Sequence, residues 1–183
     1  FGFFVCGFHV QFIGTHLPAY IIDEGLAPII GAWSLALIGL FNIAGSFFSG
    51  WSGQVYSKPK LLSGIYAFRA AVISAFIFVP LSETSVLIFS AAMGILWLST
   101  VPLTTGLIAQ TQGLKFLSTL AGLVFFSHQV GGFLGAWLGG RIYDLTGNYE
   151  AMWIAAILFG LLATIIHLPI REAAGKLAQA EFK

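Results

Sequence analysis

Ser127-His128-Gln129-Val130-Gly131-Gly132-Phe133-Leu134-Gly135-Ala136-Trp137-Leu138-Gly139-Gly140 closes an apolar run that begins near Leu117. Glycine recurs at Gly131, Gly135 and Gly139, and a small residue at Gly132, Ala136 and Gly140. Steps of four return to one helix face, so these positions form two adjacent flat stripes. In water that much glycine would destabilise a helix. In lipid, small residues let a second helix backbone come close. His128 and Gln129 stand just before the stripes, at a depth where polar groups are costly. The stretch predicts a membrane-spanning helix that crosses a neighbour closely beside buried polar side chains.

Working outward, the composition agrees. Of the 183 residues, 58% are apolar and 8% charged, and the mean hydropathy is +0.93. Soluble domains carry about 25% charged residues, so a soluble domain is excluded. The formal net charge of +1 offers nothing to a polyanion, so no nucleic-acid partner is expected. Cys6 is the single cysteine, which leaves no disulfide or metal framework; it reads as packing. Residue 1 is not methionine and already lies in a hydrophobic segment without a signal-peptide n-region, so the chain reads as part of something longer.

The apolar residues fall into six runs, at about 1–22, 29–50, 61–80, 85–109, 117–139 and 151–168. Runs of roughly twenty cross a hydrocarbon core of about 30 Å. Pro102 predicts a kink in the fourth. Six spans put both termini on one side. Lys58, Lys60, Lys115, Arg171, Lys176 and Lys183 fall on that side, and only Arg141 on the other, which makes both termini cytoplasmic. Trp33 and Trp153 near the outer boundary and Trp51 near the inner one fit interfacial anchoring.

Gly45-Ser46-Phe47-Phe48-Ser49-Gly50-Trp51-Ser52-Gly53 lies over Gly131-Gly132-Phe133-Leu134-Gly135-Ala136-Trp137-Leu138-Gly139, with Gly, Phe, Trp and Gly in common, and Asn42 then falls over His128. The two stretches end the second and fifth spans. The expected fold is therefore an all-α membrane protein of six spans in a three-plus-three inverted repeat, the architecture of transporters with a midplane site.

Several segments together are similar to the C-terminal six-helix half of a major facilitator superfamily transporter. They are Thr15-His16-Leu17-Pro18-Ala19-Tyr20 with Asp23-Glu24-Gly25, Gly39-Leu40-Phe41-Asn42-Ile43-Ala44-Gly45, Tyr66-Ala67-Phe68-Arg69, His128 to Gly140, and Tyr143-Asp144-Leu145-Thr146-Gly147-Asn148-Tyr149. The resemblance is greatest to the monocarboxylate and oxalate-formate antiporter-like branch. It implies a missing N-terminal six-helix half, a small-molecule substrate, a cavity lined by the first and fourth spans and flanked by the second and fifth, and a bacterial inner membrane. One departure stands out. The superfamily's Gly-three residues-Asp-Arg loop reads Gly50…Gln54-Val55 here, which leaves only Lys58 and Lys60 of its basic part.

Against that frame the candidates for contact with substrate are His9, Asn42, Trp97, Thr100, His128 and Gln129. Histidine titrates near neutral pH and can carry a proton or pair with an anion, or it can simply bond a neighbouring helix carbonyl. His9 is open between these, and His16 leans to the second. The hydroxyls of Thr100 and Thr104 can meet a solute or satisfy backbone groups freed by Pro102. Asn42, Ser46, His128 and Gln129 can equally serve interhelical hydrogen bonds. Arg69 is the one charge inside a span, eight residues past Leu61 and about 12 Å into the core at helical rise. It reads as structural, bonding helix-end carbonyls, as do Gly131, Gly135 and Gly139. No phosphate loop, metal-spaced histidine pair or catalytic cluster is present, so no enzyme, metal or cofactor is expected. Three functions remain: secondary transport of a small organic solute, such as a monocarboxylate-like anion with a proton; efflux of an amphipathic compound; or a six-span scaffold, which would have no need for polar groups at one depth.

Overall fold

A computed structural model describes residues 1–172; Lys176 and Lys183, counted above among the basic residues, lie outside them. The described residues form seven α-helices: α1 (Gly2–Asp23), α2 (Pro28–Val55), α3 (Lys58–Phe78), α4 (Glu83–Leu96), α5 (Thr100–Gln112), α6 (Leu117–Thr146) and α7 (Glu150–His167). Proline opens α2 at Pro28 and α3 at Pro59, where its missing N–H costs nothing. Ser82 and Ser85 cap α4 reciprocally, at 3.1 and 2.8 Å. Gly147, at φ 72°, ends α6 in the left-handed conformation.

Five segments are long and apolar enough to cross a membrane: α2, α3, α4 with α5, α6 and α7. Helix α1 has the length, 22 residues, and carries His9, Gln11, Thr15 and His16 in its middle. It runs against α6 along the bundle and supplies much of the core through Phe8, Phe12, Ile13, Leu17 and Ile21. The fold is thus an all-α bundle of long apolar helices, consistent with the half of a major facilitator fold that the sequence resembles. Large apolar side chains such as Leu40, Ile43, Phe47, Phe68, Phe78, Ile88 and Ile165 remain on the outer surface. In lipid these need no protein cover.

The long-range packing obeys the repeat. The dominant pairs are α1 with α6, α2 with α4, and α3 with α7. Exchanging the first three spans for the last three turns the first pair into the second and leaves the third unchanged. Both crossings are made at glycine. A Cβ built on Gly131 or Gly7 would overlap the carbonyl oxygens of Phe4 or His128 on the opposite helix. At the other crossing a Cβ on Gly45 would overlap the carbonyl oxygen of Ile95, and one on Gly94 would lie 2.8 Å from that of Ile38. The register that lays Asn42 over His128 lays Gly45 over Gly131; shifted by one residue it lays Gly7 over Gly94.

The two ends of the bundle differ. A cavity of about 600 Å³ at one end is lined by Asp23, Glu24, Leu81, Tyr143, Asn148, Tyr149 and Glu150, which brings together the segments that join α1 to α2, α3 to α4 and α6 to α7. Burial there pushes the Tyr149 phenol above its usual range, and the charge of Asp23 adds to this. At the opposite end the Lys58 ammonium donates to Gln110 at 2.9 Å, and its main-chain N–H donates to Glu172 at 2.7 Å. Trp33 and Trp51 are exposed, as an interfacial position requires. Trp153 is not an anchor: it is buried among Phe12, Tyr20, Phe76 and Phe89. An indole close to a helix start has two homes, and here the aromatic cluster won.

Candidate functional site

The centre of the half is a break in the fourth span. Pro102 has no N–H for the carbonyl of Leu98, and the helix interrupts itself over 97–99 instead of merely bending at the proline. Such a gap leaves backbone donors and acceptors without helical partners, and in a membrane each must be satisfied by protein. Side chains from two other spans do so. Arg69 on α3 donates from Nε and Nη2 to the carbonyl of Leu96, at 3.2 and 2.5 Å, and from Nη2 to that of Trp97 at 2.5 Å. Asn42 on α2 accepts from the main-chain N–H of Leu98 at 3.0 Å. Ser49 on α2 donates to the carbonyl of Ser99.

The break gathers more polar groups. Thr100 donates to the Cys6 sulfur at 3.2 Å, and the Arg69 Nη2 stands 3.6 Å from the same atom. The Arg69 guanidinium lies over the Tyr66 ring, 5.4 Å from its centroid. Arg69, Cys6, Tyr66 and Thr100 are all fully buried. His128 stands beside Cys6 where α1 and α6 cross. Five of the residues singled out from the sequence therefore meet in one region: Asn42, Trp97, Thr100, Arg69 and His128.

Gln129 stands apart from it, and His9, one turn from Cys6 on α1, is engaged by another helix: it is fully buried and bonds the carbonyl of Ala156 on α7 at 2.8 Å. Gln129 is exposed and borders an open groove with Gln11, Gly132, Phe133, Ala136 and Trp137. The two small-residue stripes thus have different surroundings. Gly131, Gly135 and Gly139 press on α1, while Gly132 and Ala136 floor the groove.

The four histidines separate on one observation. His9 bonds Ala156, His16 bonds Ala136 at 2.8 Å and His167 bonds Ala163 at 2.7 Å, each through a main-chain carbonyl. His128 has no main-chain carbonyl partner among the described residues. Its ring packs on Phe3 at 5.3 Å and Phe125 at 6.3 Å, and its Nδ1 is 3.5 Å from Gln129 Oε1, too long for a strong hydrogen bond. It is half-buried, and the side chain it faces across the crossing is the Cys6 thiol.

Sequence reading took Cys6 as packing only and passed over Ser49 and Gln11. Ser49 had a signal, since it falls four residues from Gly45 of the internal repeat. Gln11 had one in being a carboxamide at mid-span. Among the described residues no group of histidine, cysteine and carboxylates is placed to hold a metal.

No family model matches the chain. Curated relatives do. Over 173 residues, 92% of the chain, it is 27% identical to the uncharacterized MFS-type transporter YcxA of Bacillus subtilis (strain 168), covering 42% of that protein. Over 168 residues, 88% of the chain, it is 29% identical to monocarboxylate transporter 13 of Rattus norvegicus, covering 39% of it. A match to monocarboxylate transporter 12-B of Danio rerio is 27% identical over 143 residues. The chain is similar to the C-terminal half of major facilitator transporters of the monocarboxylate branch. It spans about two fifths of the length of the first two relatives. Such proteins are membrane transporters and not enzymes.

Proposed function

We propose that the chain is the C-terminal half of a secondary transporter that moves a small organic solute, a monocarboxylate-like anion with a proton, by alternating access. The observation that carries this reading is His128. Among the described residues it is the one histidine of four whose ring nitrogens bond no main-chain carbonyl, at mid-depth and near the break in the fourth span. An imidazole there supplies both a proton carrier and a cation for a carboxylate. His9 has the weaker claim, being bonded to Ala156. Asn42, Trp97 and Thr100 at the break, and Gln129 in the groove, supply further hydrogen bonds for the solute or for the backbone beside it. Efflux of an amphipathic compound is the competing reading, favoured by the exposed aromatic wall of Phe133 and Trp137, whose rings stack at 6.0 Å.

The complete reading frame, expressed in cells without their own carboxylate carriers, is expected to give saturable uptake of radiolabelled short monocarboxylates that rises as the outside is made acid. Uptake of none of them would remove the carboxylate assignment. Reduced accumulation of lipophilic dyes in the same cells would favour efflux. The 183-residue chain reconstituted alone should show no saturable uptake, because one half presents one wall of a midplane site.

Both termini are assigned to the cytoplasm of an inner-membrane protein, on the basic asymmetry of the loops. Cysteines placed at Glu83 and at Lys115 report on it, in a background with Cys6 replaced. An impermeant thiol reagent added to intact cells should label position 83 and spare position 115. The reverse pattern would invert the topology.

A further inference from the structure

We propose that Arg69 is the clamp of the fourth span: a positioning residue that holds the break over 97–99 and so sets where Trp97 and Thr100 stand as the half changes shape. This rests on the transport reading above.

The first support is the cost of the group. Arg69 is fully buried, and among the described residues no carboxylate forms a salt bridge with it. A cation at that depth without a counter-charge is retained only for a task. Capping alone does not require one, since neutral Asn42 and Ser49 satisfy their share of the same break. A guanidinium adds two things. Its planar fork holds two carbonyls at once, here those of Leu96 and Trp97. Its charge is drawn to the negative end of α4, whatever the angle between α4 and α5.

The second support is the repeat. The register that pairs Gly7 with Gly94 also lays His9 over Leu96 and Ala156 over Arg69. In the first triplet the histidine of α1 bonds the carbonyl of Ala156 on α7. In the second, Arg69 on α3 bonds the carbonyl of Leu96 on the fourth span. The same two positions are bridged twice, with donor and acceptor exchanged. Helix α1, held through an imidazole, is continuous through this point. The fourth span, held by a cation, is broken. The difference between the triplets is concentrated where Arg69 grips.

The third support is the unused donor. Arg69 Nη1 is buried with no partner among the described residues. A native donor left idle calls for an explanation, and a clamp whose carbonyls shift as the break flexes needs a spare one.

The test uses spin labels at Thr84 on α4 and Gln112 on α5, with Cys6 replaced by serine, in the complete reading frame reconstituted in lipid. It also uses solute uptake by the complete reading frame carrying the same Arg69 variants. Arg69→Met is expected to broaden and shift the label-to-label distances. Uptake should fall about tenfold in turnover with KM nearly unchanged, the pattern of a group that acts on the translocation step and not on binding. Arg69→Lys, a point charge without the fork, should recover only part of both. Parental distances and turnover in Arg69→Met would overturn the clamp, as would a raised KM at unchanged turnover, which would make Arg69 a substrate ligand. If Arg69→Met fails to reach the membrane, Arg69→Met/Pro102→Ala decides. Restoring the N–H for Leu98 lets the span run continuously, so membrane level should return with lengthened distances and low turnover. A double variant that stays out of the membrane overturns the proposal. Should the parental frame transport nothing, the transport reading falls and the distances alone still judge the clamp.

Discussion

Alanine at Gly45 or at Gly131 is expected to cost the fold about 3 kcal/mol, the upper part of the usual overpacking range. In each case the new methyl would meet a main-chain carbonyl of the crossing helix, Ile95 or Phe4. A carbonyl held in its own helix cannot rotate away as a side chain can, so the two helices must separate. Separation would also loosen the contacts around the break, because α2 carries Asn42 and Ser49 and α4 ends at the carbonyls that Arg69 holds. Gly64 and Gly122 are the controls. Nothing stands within 4 Å of a Cβ at either, and both are inside helices. Alanine there should be neutral, or stabilising by up to about 1 kcal/mol through helix propensity. Unfolding curves in mixed detergent micelles, with the four variants side by side, measure the contrast. If Gly45→Ala unfolds with Gly64→Ala, the crossing is not as close as described. The repeat adds a finer expectation: Gly7→Ala should behave like Gly131→Ala, its partner at one crossing, and Gly94→Ala like Gly45→Ala at the other.

These glycines show what a one-dimensional reading could reach. The stripe at Gly131, Gly135 and Gly139 announces a close crossing by its spacing alone, and Gly45 lies over Gly131 in the internal repeat. Their partners do not announce themselves. Gly7 and Gly94 are single glycines, each defined by the helix that passes over it. The same limit governs Arg69. Its depth in the third span follows from helical rise, but its partners are carbonyls, which every residue has, so no pattern in the side chains points to them. The break was half visible. Pro102 marks the disturbance, while its place at 97–99 depends on Arg69, Asn42 and Ser49 arriving from other spans. Among the histidines, sequence spacing treats His9 and His128 alike; only the packing decides which of them finds a carbonyl.

That distinction sets the largest functional effect. His128→Ala is expected to lower solute uptake by the complete reading frame about tenfold or more while the protein remains in the membrane at its parental level. This is the scale of losing one charge-assisted hydrogen bond of roughly 1.5 to 3 kcal/mol to a carboxylate. Little stability should go with it, because the ring bonds no main-chain carbonyl among the described residues; its packing on Phe3 and Phe125 and its contact with the Cys6 thiol are what alanine removes. His128→Gln separates the two uses of the imidazole. Glutamine donates and accepts hydrogen bonds but does not titrate, so binding should persist while the dependence of uptake on external pH flattens. His9→Gln serves as the comparison. It can keep a hydrogen bond to Ala156 and, with no proton to carry, should retain the parental pH profile. Were His128 only an interhelical bond, its alanine variant would instead lose about 0.6 to 2 kcal/mol of stability and its glutamine variant would be normal in every respect. Uptake against pH for the two glutamine variants, beside their membrane levels, is the deciding measurement. A parental profile in His128→Gln would take the proton away from this residue, and with it the proton coupling proposed for this half.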